Sequence, residues 1–364
     1  MTINDITHIL EEFAPLDYAE DFDNVGLLIG DKSTTVNGIL VTLDTLENVV
    51  DEAISKKCNL IVSFHPIIFS GLKKITGKNY VERTILKAIK NDIAIYAIHT
   101  ALDNCPEGVN AKICEVLGLK NTQVLIPQKN TIKKLTTYIP ADKAQNLKQK
   151  LFNAGAGKIG NYSNCSFEVS GTGSYKAGEN ANPTKGTIGS THYEEESLIS
   201  VVFTKSVEAQ VLDALLKNHP YEEVAYEIQT LENTNNYIGM GMIGELEETV
   251  SEEVFLKQLK SRMNATVVRH SELRGKPVKR IAVLGGSGAF AIGAAKAAGA
   301  DVFVTADVKY HQFYEAEKQM VIADIGHFET EQFTKNLLVD YLTEKIPNFA
   351  IHLSESITNP IKYF

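Results

Sequence analysis

No run of apolar residues in this 364-residue chain approaches the roughly 20 needed to cross a bilayer. The longest are broken by Lys, Asp or Gly, which excludes a helical membrane span. The chain has no CxxC pair, and its four cysteines, Cys58, Cys105, Cys114 and Cys165, are scattered. That excludes a zinc ribbon and a disulfide framework, and each thiol reads as a small buried apolar residue in a reducing compartment. Positive charge is in short supply: 36 Lys and Arg against 45 Asp and Glu leave a formal charge of −9. A nucleic-acid backbone is therefore not expected as the main partner, because such binding draws on a basic stripe that releases counterions. No GxxxxGK[ST] occurs, so a P-loop nucleotide hydrolase is excluded. The start, MTINDITHILEEF, lacks the basic flank and apolar block of a secretory signal and instead spaces Ile3, Ile6, Ile9, Leu10 and Phe13 along one helix face. A cytoplasmic protein is expected.

What is present is an ordinary globular composition, 44% apolar and 22% charged, in a chain long enough for two or more cores. From residue 38 to 125, strand and helix patterns alternate: GILVTLD, TLENVVDEAISKK, NLIVSF, NYVERTILKAIKN, IAIYAIH. The alternation returns near residue 279 with KRIAVLGG, a helix through AIGAAKAAG, DVFVTAD, a helix around YHQFYEAEKQ, and VIADIGH. Continuously apolar strands of this kind predict parallel sheets covered by helices. Between them the order becomes β-α-β, β-α-β, from IKKLTTYI through SFEVSGTGSY and LISVVFTK to EVAYEIQTL, as in a split ferredoxin-like unit. The expected fold class is α/β: two pseudo-repeated α/β halves form one domain from residues 1–126 and 236–364, interrupted by a ferredoxin-like α+β insertion at 127–235. YIGMGMIGEL would be the return strand.

The two halves carry matched polar endings. IYAIH ends in His99 with Asp103 four residues on, and IADIGH ends in His327 with Glu331 four residues on. The central strands run into His65 in one half and Asp307 in the other, with His311 shortly after. Ligands of open α/β sheets bind at the carboxyl ends of the strands, so all seven groups are placed on the side where such sites form. Converging carboxylates raise one another's pKa unless a cation intervenes, and imidazole with carboxylate suits a divalent metal. The i, i+4 spacing puts His327 and Glu331 on one helical face, where they can share an ion. A rival signal is GGSGAFA, whose Gly286, Gly288 and Ala291 follow a strand in GxGxxA spacing with Asp307 about 20 residues onward, as in a dinucleotide-binding turn.

DNVGLLIGD, FHPIIFSGLKK, HTALDNCPEGVN, GGSGAF, TADVKYH and DIGHFETE together resemble the Nif-three-like family, whose members are often labelled GTP cyclohydrolase 1 type 2 homologues. ENANPTKGTIG and HPYEEVAYEI resemble the PII/CutA-like middle domain of its longer bacterial form. The resemblance implies a homohexamer with one or two divalent ions per subunit, held by His65, Asp103, His327 and Glu331, the metal (Zn, Mn, Fe or Mg) not being distinguished. Phe64 stands where family members commonly carry a further histidine ligand, and His99 becomes a pocket residue with Asp307 and His311. Three functions follow as expectations. The first is a metal-dependent hydrolase of a small nucleotide-like or phosphorylated substrate, with His99 or His311 for proton transfer. The second is a non-enzymatic metal-binding sensor, regulator or delivery protein, and the third a dinucleotide-binding protein through GGSGAFA.

Overall fold

The structure is a computed structural model describing residues 1–364. The chain divides into two compact units, one of Met1–Pro127 with Asn236–Phe364 and one of Gln128–Asn235. In chain order the strands are β1 (Gly26–Ile29), β2 (Ile39–Thr42), β3 (Leu60–Ser63), β4 (Ala94–Ala97) and β5 (Lys120–Gln128); then β6 (Ile132–Pro140), β7 (Ser166–Lys176), β8 (Thr191–Thr204) and β9 (Tyr226–Leu231). After these come β10 (Asn235–Ser251), β11 (Arg269–His270), β12 (Pro277–Ser287), β13 (Val302–Ala306), β14 (Val321–Asp324) and β15 (Ile351–Leu353).

The larger unit holds two sheets, ordered β1-β4-β3-β2-β15 and β11-β14-β13-β12-β10-β5. In the first, β2, β3 and β4 are mutually parallel with β1 antiparallel on the flank. In the second, β12, β13 and β14 are parallel and β11 takes the flanking antiparallel place. The duplicated strand-helix pattern is thus matched strand for strand. The edges are not: β15, from the C-terminal segment, pairs with β2, while β5, from the first segment, edges the second sheet. Each half is closed by a strand from the other, so neither sheet is complete without both chain segments.

Alternation along the strands serves two cores at once, because successive side chains leave opposite faces. Ile39, Val41, Leu60, Val62, Ala94 and Tyr96 join Val278, Ile281, Val283, Val302, Val304, Val321 and Ala323 in one shared core, filled by the helices Ile3–Phe13, Val109–Leu117, Glu252–Arg262 and Thr334–Lys345. The intervening Leu40, Ile61 and Ile95 pack outward on helices Glu47–Ser55 and Tyr80–Lys90. On the second sheet Ala282, Phe303 and Ile322 pack outward in the same way on Ile292–Ala297 and Tyr310–Ala316. The last of these is a 3-10 turn rather than the α-helix expected around YHQFYEAEKQ, and it stops at two consecutive left-handed residues, Glu317 and Lys318.

The smaller unit runs β6, helix Ala144–Asn153, β7, β8, helix Glu208–Asn218, β9 in one antiparallel sheet ordered β7-β8-β6-β9. Leu135, Ile139, Ile199, Val201 and Phe203 face Leu147, Leu151, Val211 and Leu215 of its two helices in a core of its own. No helix of the chain is long and apolar enough to cross a membrane.

Candidate metal centre

Parallel strands deliver their carboxyl ends to one side of a sheet, and both sheets of the larger unit use that side. His65 follows β3, and the helix His327–Glu331 follows β14 directly. These segments, 262 residues apart, meet: His65 Nε2 and His327 Nε2 lie 3.4 Å apart. The Glu331 Oε2 lies 3.1 Å from the first and 3.2 Å from the second. One ligand atom from each of His65, His327 and Glu331 falls within 4.8 Å of the others. Each imidazole is braced from behind. The His65 Nδ1 donates to Asp44 Oδ1 at 2.8 Å, and Asp44 in turn accepts from Thr358 Oγ1 at 2.7 Å. The His327 Nδ1 donates to Asp307 Oδ2 at 2.7 Å, a carboxylate also held by the Ser287 hydroxyl. A carboxylate on Nδ1 fixes the tautomer and turns the Nε2 lone pair toward the shared space, the usual support of a metal-binding histidine.

The electrostatics favour positive charge there. Burial pulls the His65 imidazole down, but Glu331 and Asp44 more than offset it and lift it to about 10. At His327 burial is again outweighed, by Glu331 and Asp307, to about 9. Burial raises Glu331, yet the two histidines bring it to about 2. Asp103 goes the other way: burial and the neighbouring Glu331 charge push it well above the usual carboxylate range. Its Oδ1 is inaccessible and without a hydrogen-bond partner, and Glu331 Oε2, although within ion-pair distance of both imidazoles, makes no well-aligned hydrogen bond. Unsatisfied buried carboxylate oxygens are costly, and a divalent cation between Glu331 and the two imidazole nitrogens would supply the missing charge; Asp103 lies outside the three residues whose ligand atoms converge within 4.8 Å. The donor set present fits a divalent metal.

The glycine pair near the end of β12 serves this centre. At Gly286, with φ of 65°, a Cβ would sit 2.4 Å from Glu331 Oε1, so a side chain would displace the carboxylate. The Gly285 N–H donates to Asn110 Oδ1 and the Gly286 N–H to Thr330 Oγ1. The amide of the motif's first glycine is thus engaged within the chain, and Asp307, the acid a ribose would need, holds His327. The dinucleotide expectation gains no support from this geometry, in which the glycine at 286 permits the close approach of backbone to Glu331.

His99 lies beside the centre, its ring centroid 5.3 Å from that of His65 and its Nδ1 donating to Asp23 Oδ1 at 2.8 Å. Asp23 is raised by burial but carried down to about 2 by His99 and Thr100. Phe64 is fully buried with its ring centroid 5.5 Å from that of His99. His311 stands apart, exposed and against Tyr310 and Tyr314. Two carboxylates that brace histidines here, Asp44 and Asp23, escape the sequence reading. Asp44 had a signal: GILVTLD ends an apolar strand on an acid as NLIVSFH ends one on a histidine. Asp23 lies in DNVGLLIGD before β1 and has no periodic signal at all.

Comparison with known proteins bears on this arrangement. The family described as Duf34/NIF3 (NGG1p interacting factor 3) matches residues 1–360. A Bacillus subtilis protein named GTP cyclohydrolase 1 type 2 homolog is 39% identical, over 98% of this chain and 97% of its own length. One of the same name from Staphylococcus aureus strain COL is 37% identical with both chains fully covered. Among solved structures, a Bacillus cereus protein related to NIF3 superposes with a TM-score of 0.86 at 37% identity, covering 100% of this chain and 99% of the other. A Staphylococcus aureus protein gives 0.79 at 32% over the same shares. With the family pattern spanning nearly the whole sequence and relatives well above 30% identity from end to end, the chain belongs to the Duf34/NIF3 family.

Proposed function

We propose that this protein is a divalent-metal-dependent hydrolase acting on a small nucleotide-like or phosphorylated molecule. His65, Asp103, His327 and Glu331 would hold one or two ions. The observation that carries the reading is the convergence of two carboxylate-braced imidazoles and a buried glutamate from distant segments within 4.8 Å. A divalent ion bound to such a set supplies Lewis acidity and a water whose pKa falls to about 7. The chain's own residues do the rest. Asp44 and Asp307 hold the two rings in the ligating orientation, and Gly286 leaves Glu331 room between them. His99, oriented by Asp23, is the proton-transfer candidate beside His65. A cavity of about 690 Å³ opens from His65 and Asp44 past Phe69 and Tyr80 to Thr358 and Pro360. Its two aromatic rings offer stacking surface for a flat heterocycle.

The test is metal analysis of purified protein, followed by a nucleotide and phosphoester panel assayed with Zn-, Mn- and Fe-loaded protein. Turnover that is lost in Glu331→Gln supports the hydrolase. A second reading, metal binding without turnover as in a sensor or delivery protein, is favoured by one feature: no lysine or arginine lines that cavity to meet a phosphate. Tight metal with an inert panel would establish it. In either reading the protein assembles as a homohexamer, which light scattering in solution checks.

A further inference from the structure

We propose that the smaller unit carries a binding site for an organic cation, an ammonium group on an apolar body, independent of the metal centre. A cavity of about 610 Å³ lies within this unit, walled by Tyr138, Tyr175 and Tyr221 and by the carboxylates of Glu196, Glu222 and Glu223. No lysine or arginine lines it. Lys185, whose carbonyl meets the Tyr175 hydroxyl, has its ammonium engaged by Glu194, which also accepts from His192. Three acids without a counter-cation repel phosphate and carboxylate ligands, while tyrosine faces and a carboxylate together attract a cation.

The walls are built. The Tyr221 hydroxyl donates to Glu196 Oε1 at 2.6 Å, fixing that carboxylate, and burial together with the Glu196 charge pushes the phenol up, so it stays a donor. The other oxygen, Oε2, lies 1.9 Å from where a Cβ of residue 173 would stand, so the glycine at this β7 position is what gives the carboxylate its place. Tyr175 and Tyr221 meet edge to face with centroids 6.0 Å apart, and His219 backs Tyr221 at 5.2 Å. The loop closing the cavity is pinned across it: the Asn182 N–H donates to Glu222, the Thr184 hydroxyl to the Pro220 carbonyl, and the Tyr175 hydroxyl to the Lys185 carbonyl.

Calorimetric titration of the full-length protein decides it, with choline and benzyltrimethylammonium as cationic probes, dimethylbutanol as the neutral carbon isostere of choline, and ATP as an anionic probe. Saturable binding of a cation, at least about tenfold tighter than dimethylbutanol and weakened about tenfold in Glu196→Gln, is expected, since charge-assisted contacts are worth roughly twice neutral ones. Gly173→Val should abolish it by displacing the carboxylate, and metal content should be unchanged in both variants. Equal binding of choline and its neutral isostere, binding of ATP in preference to the cations, or no binding of either cation would overturn the proposal. The comparison of probes on the wild-type protein stands even if a variant fails to fold.

Discussion

Glu331 to Gln changes one charge and almost no volume, so it separates metal binding from folding. The variant should keep its far-UV spectrum and thermal transition within a few degrees yet lose at least about tenfold in metal affinity, the low end of what loss of a ligand's charge or support costs. Equal metal content by elemental analysis would contradict the ligand set. The neighbouring position 64 tests the departure from the family pattern. Phe64→His places an imidazole between His65 and His99, where ring centroids now lie 4.9 and 5.5 Å from the phenyl. It should raise the metal bound per subunit, at the cost of about 1–3 kcal/mol for exchanging a buried phenyl for a polar ring. Unchanged stoichiometry at saturating metal would count against a second ion beside Asp103.

At the scale of elements, polar groups that pin a turn or a loop govern local stability. Arg274 and Glu252 are almost fully buried together; the guanidinium also reaches Asp301 and the Gln319 carbonyl, tying the helix Glu252–Arg262 to the segments before β13 and β14. Arg274→Met leaves Glu252 buried beside only backbone donors and should cost about 3 kcal/mol, read as a lowered urea midpoint. His219, in the smaller unit, donates through Nε2 to the Tyr138 carbonyl and accepts the Tyr221 N–H on Nδ1, a pattern that only the neutral ring satisfies. Burial accordingly lowers its pKa below 6.5. The folded state binds fewer protons than the unfolded state, so the contribution is complete above 6.5 and is lost as pH falls below that value. Calorimetric scans should show the wild-type transition dropping under mild acid, and His219→Gln, which keeps a donor but does not titrate, should flatten that part of the dependence.

At the scale of the whole molecule, β5 and β10 are neighbours in one sheet, so the chain leaves the larger unit and returns to it at adjacent strands. A chain in which residues 129–234 are replaced by a short Gly/Ser linker should fold and bind the same metal per subunit, because loop closure between adjacent strands costs little extra entropy. An insoluble or metal-free product would show that the larger unit depends on the insertion. The His-x-x-x-Glu helix after β14, the parallel strand triplets and the β-α-β-β-α-β middle stretch were legible in the sequence, since side-chain periods of two and 3.6 residues are local properties. The exchange of β5 and β15 between the halves was not, because β15 has only three residues, β5 has no regular alternation of buried and exposed positions, and the pairing of an edge strand is chosen by whichever sheet leaves an open edge. Nor was the role of Asp23 and Asp44: a carboxylate behind an imidazole is recognised by direction and distance, which a one-dimensional spacing does not hold. The sequence by itself determined which segments become strands and helices and that imidazole and carboxylate side chains stand at their carboxyl ends. Only the tertiary structure decided that His65 and His327 share Glu331, because docking two sheets through one core depends on the summed burial of many distant residues, and the fields that shift these groups act over ångströms of space and not along the chain.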